Sequence, residues 1–214
     1  MSTRVLLIGA TGVVGQHVLR QALASPQIDH VIALTRKPLA PADKLENHVV
    51  DFLNLPSDAQ WWHVDAVICT LGTTIKAAGS QSAFAVVDRD LPILVARLAR
   101  DAGATRYSLN SSVGANVNGS FYLRTKAEAE EGVRAVGYPG YTIVRPSLID
   151  TDRAESRPGE IIGRIVARVF RPLIPKRYRS VKPEFIASAL LDGVLHNISS
   201  EQIIESENLE TIHE

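Results

Sequence analysis

Tyr122 and Lys126 stand four positions apart, the spacing that brings two side chains to one face of a helix. A phenol so placed can give or take a proton. An ammonium beside it lowers the phenol pKa towards neutrality and can also hold a cofactor ribose. Shortly before this pair comes Asn110-Ser111-Ser112. A serine hydroxyl there can hold a carbonyl oxygen. Together these residue types suit the interconversion of a carbonyl and an alcohol.

A second group lies near the start: Gly9-Ala10-Thr11-Gly12-Val13-Val14-Gly15. Glycines in a Gly-x-x-Gly-x-x-Gly run let the chain turn tightly and let the backbone approach a pyrophosphate. Unpaired N–H groups at a helix start then face the anion. Gly9, Thr11, Gly12, Val13, Val14 and Gly15 are therefore the expected phosphate contacts of a dinucleotide.

The choice of dinucleotide falls to the end of the next strand. An NAD site usually places an acid there, about 20 residues on. Here the residues are Leu34-Thr35-Arg36-Lys37, with no acid. Arg36 can pair bidentately with a 2′-phosphate and lay its guanidinium over adenine, so NADP(H) is the expected cofactor. Asp51-Phe52 ends the third strand, where Asp51 either accepts from the adenine amino group or caps the following turn. Thr70, Leu71 and Gly72, after Cys69, end the fourth strand beside the expected nicotinamide ribose. Cys69 reads as a small buried hydrophobe rather than a nucleophile.

The elements that must position these residues follow from periodicity. Near-continuous apolar runs predict strands over 4–9, 30–35, 49–52, 66–70, 106–111 and 141–145, as in parallel strands covered on both faces. Helical patterns lie between them, over 12–24, 80–102 (broken near Leu91-Pro92) and 120–136. Ser120 is the expected N-cap of the third, and Gly137 follows its end. A further helix is expected over 183–196. The alternation predicts an α/β doubly wound Rossmann sheet with helices on both faces. Residues 1–214 read as one NAD(P)-binding domain, with residues 150–185 forming a small substrate lobe. That lobe contains the basic stretch Asp152 to Lys182, whose apolar positions from Ile161 to Phe170 recur at helical spacing. It suits an anionic substrate or, more simply, a solvated basic face. Arg145 stands near the site and can bind substrate or pair with an acid.

Length and composition limit the alternatives. The chain has 214 residues, 45% of them hydrophobic, which supports an ordinary core. Lys plus Arg number 23 and Asp plus Glu number 23, so no overall field steers the chain to nucleic acid. Val5-Leu6-Leu7-Ile8 is far too short for a signal-peptide core, and no run approaches the ~20 apolar residues of a membrane span. One cysteine excludes an internal disulfide and a cysteine cluster for zinc, so no metal is expected, and a reducing, cytoplasmic setting is. An oligomer is allowed.

On the glycine loop, on Ser111-Ser112-Val113-Gly114-Ala115, on Tyr122-Leu123-Arg124-Thr125-Lys126 and on Val144-Arg145-Pro146, the sequence resembles the short-chain dehydrogenase/reductase superfamily in its extended or atypical branch. More narrowly, it is similar to the Tat-interacting-protein oxidoreductase group. The likeness covers roughly Arg4 to Leu148. It implies an NADP-dependent oxidoreductase of a small carbonyl or hydroxyl compound. In that pattern Ser112 polarises the carbonyl (Ser111 is the fallback), Tyr122 is the acid/base, and Lys126 positions the ribose and tunes Tyr122. It also implies an alternative, a non-catalytic NADP(H)-binding regulator or scaffold. The chain departs from the pattern at Cys69-Thr70-Leu71-Gly72, and its long helix offers Asp88 where many members carry a relay asparagine. A sugar-nucleotide epimerase or dehydratase would need a larger substrate domain.

Overall fold

The computed structural model describes residues 3–150, 175–196 and 200–210. Its centre is β1 (Thr3–Ile8), whose residues Val5, Leu6, Leu7 and Ile8 are fully buried. Strand geometry sends alternate side chains to opposite faces. Val5 and Leu7 enter one core, Leu6 and Ile8 the other. A strand apolar on both faces must be covered on both, and it is.

After β1 come β2 (Ile28–Thr35), β3 (Leu45–Val49), β4 (Ala66–Cys69), β5 (Arg106–Asn110), β6 (Gly140–Arg145) and β7 (Glu201–Glu205). Among the described residues these form one parallel sheet in the order β3-β2-β1-β4-β5-β6-β7. The helices are α1 (Val13–Ala24), α2 (Ile75–Ala78), α3 (Gln81–Ala85), α4 (Leu91–Asp101), α5 (Phe121–Val136) and α6 (Pro183–Leu195). Helices α1 and α6 bring Val14, Val18, Ile186 and Leu190 to one face of the sheet. Helices α4 and α5 bring Val95, Ala99 and Val133 to the other. This is the doubly wound Rossmann arrangement. Its ligand crevice opens at the carboxyl ends of β1 and β4, where the winding reverses. Ile8 is level with Leu34 on one side and Cys69 on the other, so three strand ends meet there.

Three expectations need correction. The third strand occupies Leu45–Val49, not 49–52. It is an edge strand paired only with β2, so polar Glu46, Asn47 and His48 are tolerated in it, while Val50 and Phe52 pack on the core from the following loop. The long helix is not broken at Leu91-Pro92. Val86–Asp90 forms a π-helical turn, and Asp90 keeps helical dihedrals into α4. Pro92 has no N–H to give the continuous helix, and the π-helical turn just before it, where Leu91 N–H donates to Val86 O, takes up the mismatch. Strand β7 was not expected at all. It buries Ile204 and is held by Arg134–Glu201 and Arg145–Glu205 ion pairs.

Residues 151–174, which hold most of the expected substrate lobe and its helix, lie outside the described residues. Of the remainder, Ile149 pairs with Val181, and Val181 is buried. No helix among the described residues is long and apolar enough to cross a membrane.

Candidate active site

Gly9 has φ of +87°, and a Cβ there would lie 2.6 Å from Thr70 Oγ1. A Cβ on Gly15 would lie 2.0 Å from the Gly9 carbonyl oxygen. Only glycine at both positions lets α1 sit directly on the end of β1. Gly12 N–H donates to Gly9 O at 2.9 Å and closes the turn. Helix α1 begins with no side-chain cap and no acid in its first turn. Its first N–H groups have no intrahelical acceptor, and the dipole favours an anion there. The loop thus fits a pyrophosphate. Thr11 and Gly12 are exposed and Val13 half-buried, whereas the Val14 side chain belongs to the core and can serve a ligand only through its backbone.

Thr70 ties this loop to β4. Its N–H and its hydroxyl both donate to Ile8 O, at 2.9 and 3.0 Å. Leu71 is half-buried and Gly72 exposed at the same strand end. Cys69 just below is fully buried. Burial, the largest influence on its thiol, pushes the pKa up to about 11, so it is a core group and not a nucleophile.

Arg36 directly follows β2 and is exposed; it has no ion-pair partner among the described residues. For Asp51 the geometry shows the turn-capping role. Its carboxylate accepts from Leu53 N–H at 3.0 Å and from Asn54 Nδ2 at 2.6 Å, and these bonds hold its pKa below the usual value. Phe52 is half-buried against the core.

Helix α5 starts where Ser120 Oγ accepts from Leu123 N–H, as expected of an N-cap. Tyr122 stands in the first turn with its ring 5.6 Å from that of fully buried Phe84. One turn on, Lys126 is buried and its Nζ lies 2.7 Å from Asp88 Oδ1. Asp88 comes from the π-helical turn, and its Oδ2 accepts from Thr73 N–H at 2.9 Å. A Cβ on Gly72 would stand 3.7 Å from Asp88 Oδ1 and 3.9 Å from Lys126 Nζ. The ammonium therefore lies beside the end of β4, where the crevice opens. The ion pair is close but not aligned as a hydrogen bond, so buried Oδ1 keeps accepting capacity.

The two serines separate. Ser111 is buried and its hydroxyl donates to Glu130 Oε1 at 2.5 Å. Ser112 is half-buried, and among the described residues its hydroxyl makes a single 3.5 Å contact, to its neighbour's carbonyl, Val113 O. The loop after Ser112 is fastened to α5 by Asn116 N–H donating to Leu123 O at 3.2 Å. Ser111 is thus committed and Ser112 is available. Arg145 is committed as well. It meets Glu130 through Nε at 3.0 Å and Nη2 at 2.6 Å, and Glu205 through Nη1 at 2.9 Å.

Sequence reasoning gave Glu130 no role, although it follows Tyr122 and Lys126 at the same four-residue step on α5. That helical periodicity was a usable signal. Asp88 stood out only at the place where many members carry a relay asparagine; its contact with Lys126 joins two segments distant in sequence and left no local sign.

Residues 9–165 match a family described as NAD(P)H-binding. "Protein fmp52, mitochondrial" of Emericella nidulans is 38% identical over 189 residues, spanning 83% of this chain and 78% of that protein. Its namesake in Aspergillus fumigatus is 39% identical over 176 residues, 77% of this chain and 74% of that one. "Protein HTATIP2" of Rattus norvegicus is 35% identical over 166 residues, 75% of this chain and 68% of that protein. Among solved structures, MoeE5 in complex with UDP-glucose and NAD superposes with a TM-score of 0.72 at 16% identity, covering 98% of this chain and 80% of that one. This last likeness concerns the fold alone. The relatives named mitochondrial overturn the cytoplasmic expectation. A lone buried thiol argues against a disulfide framework but carries no address.

Proposed function

This chain belongs to the NAD(P)H-binding family and to the atypical branch of the short-chain dehydrogenase/reductases, and from that premise we propose that it is an NADP(H)-dependent oxidoreductase of a small carbonyl or hydroxyl compound. The observation that carries the reading is the Lys126 ammonium, anchored by Asp88 beside Gly72 and one helical turn from Tyr122. Arg36 supports NADP(H), since an exposed guanidinium follows β2 where NAD sites usually place an acid.

A dinucleotide held by the residues of the glycine loop would supply or take up hydride at the substrate carbon. In reduction, Ser112 Oγ donates a hydrogen bond to the substrate oxygen as negative charge develops there. Tyr122 donates its phenolic proton to that oxygen, and in oxidation it takes the proton back. Lys126 stabilises the phenolate and holds the ribose. Asp88 keeps the ammonium in place and offsets its desolvation.

The test is thermal melting of the protein with NADPH and with NADH, repeated on Arg36→Ala, followed by a carbonyl substrate screen against Tyr122→Phe. A ligand that binds the native state raises the melting temperature. The reading expects NADPH to stabilise more, Arg36→Ala to erase the difference, and Tyr122→Phe to lose turnover while binding cofactor. No shift with either nucleotide overturns it. A second reading, an NADP(H)-sensing scaffold, is favoured by the end of β4, where Cys69-Thr70-Leu71-Gly72 departs from the pattern of the catalytic members. It requires Tyr122→Phe to keep full function in cells.

A further inference from the structure

Asn47 sits on the edge strand β3, half-buried, opposite Ala33 of β2. Among the described residues its side chain makes three hydrogen bonds, all to the segment that carries Arg36. Nδ2 donates to Ala33 O at 2.9 Å and to Thr35 Oγ1 at 2.8 Å, and Oδ1 accepts from Leu39 N–H at 2.8 Å. Thr35 Oγ1 in turn donates to Lys37 O at 2.7 Å. The partners fix the orientation of the amide, since Ala33 O can only accept and Leu39 N–H can only donate. The chain from 33 to 39 is thereby wrapped around one side-chain amide, and exposed Arg36 lies in the bend.

We propose that Asn47 is the positioning residue that sets the preference for NADP(H). It holds the bend that presents Arg36 to a 2′-phosphate. This rests on the NADP(H) reading above and adds that Arg36 works only from a preformed bend. A bend already ordered loses little freedom when the phosphate binds, whereas a loose one must be ordered at the expense of affinity. NADH has no 2′-phosphate for the guanidinium to pair with and shares only the stacking on adenine, so the clamp matters far less to it. The selecting guanidinium and the residue that aims it therefore lie on different strands.

The experiment is direct titration of NADPH and NADH by nucleotide fluorescence, on wild type, Arg36→Ala, Asn47→Leu, Thr35→Val and the double variant Arg36→Ala/Asn47→Leu. Leucine keeps the branched outline of the side chain at 47 and removes its three hydrogen bonds; valine at 35 replaces only the hydroxyl. Asn47→Leu is expected to lower the NADPH-to-NADH preference by about tenfold and Thr35→Val by about threefold, with NADH affinity unchanged within about twofold. In the double variant Asn47→Leu is expected to weaken NADPH no further, because contacts acting through one residue are not additive. A purely structural asparagine would weaken both nucleotides alike and would add to Arg36→Ala; either result overturns the proposal. If Asn47→Leu does not fold, a Thr35→Val protein with wild-type preference overturns it. Arg36→Ala erasing a preference that the other variants retain sinks this inference alone. A wild type with no preference that depends on Arg36 sinks the NADP(H) reading and this inference with it.

Discussion

The Asp88 carboxylate and the Lys126 ammonium meet at 2.7 Å with side-chain exposures of 0% and 7%. An ion pair so far from water survives only because each charge compensates the other, and because Thr73 N–H donates to the second carboxylate oxygen. The pair joins the π-helical turn to the helix that carries Tyr122. Asp88→Ala leaves the ammonium buried without its partner and is expected to cost ~3–5 kcal/mol of folding stability. Asp88→Asn, which retains an acceptor for Thr73, should cost less. Urea unfolding of both variants measures the difference, and an Asp88→Ala protein as stable as wild type contradicts the compensation argument.

Tyr122→Phe keeps the ring that packs on Phe84 and removes only the hydroxyl. Carbonyl reduction should fall by ~10²–10⁴-fold, the usual worth of a positioned acid. NADPH affinity and melting temperature should stay close to wild type. Single-turnover kinetics with saturating NADPH are the readout, and unimpaired chemistry in the variant removes Tyr122 from the acid role.

Glu130 is buried, and it receives both the Ser111 hydroxyl and the Arg145 guanidinium. The paired carboxylate raises the Arg145 pKa above its ordinary value. Glu130→Gln keeps the shape but discards the charge. It should destabilise the fold by about 3 kcal/mol, the lower end for breaking a buried pair, because Arg145 keeps Glu205. Chemical denaturation of Glu130→Gln and of the Glu130→Gln/Arg145→Met double variant tests this. The double variant should recover part of the loss.

Cys69 has its thiol pushed up to about 11 from an ordinary 9.0, chiefly by burial. The folded state therefore holds this proton to higher pH than the unfolded chain does. The sign follows: the contribution to stability is fully present below pH 9 and falls between pH 9 and 11, by ~1.4 kcal/mol per pH unit at most. The same burial predicts that native protein resists iodoacetamide at pH 8 and reacts fully in denaturant. Rapid alkylation of the native chain would show that the thiol is reached from solvent.

Much of the fold was legible because its signals are local. The doubly buried run of β1, the glycines at 9, 12 and 15, the Ser120 cap and the Tyr122–Lys126 step each depend on neighbours along the chain. Edge strands were harder. Strand β3 is polar because one of its sides has no partner strand, so its register comes from pairing with β2 and not from its own pattern. The same holds for β7, whose acids Glu201 and Glu205 meet Arg134 and Arg145 only across the fold.

The sequence by itself determined the fold class, the place of the cofactor loop, and the helix bearing Tyr122 and Lys126. Turn chemistry and hydrophobic period act within a few residues and can be read along the chain. Only the tertiary structure decided which groups are committed and which are available. It assigned Ser111 to Glu130 and left Ser112 open, gave Arg145 to Glu130 and Glu205, and set Asp88 against Lys126. Charges and hydroxyls act across space over a few ångströms, so their partners are fixed by how strands and helices pack and not by their order in the chain.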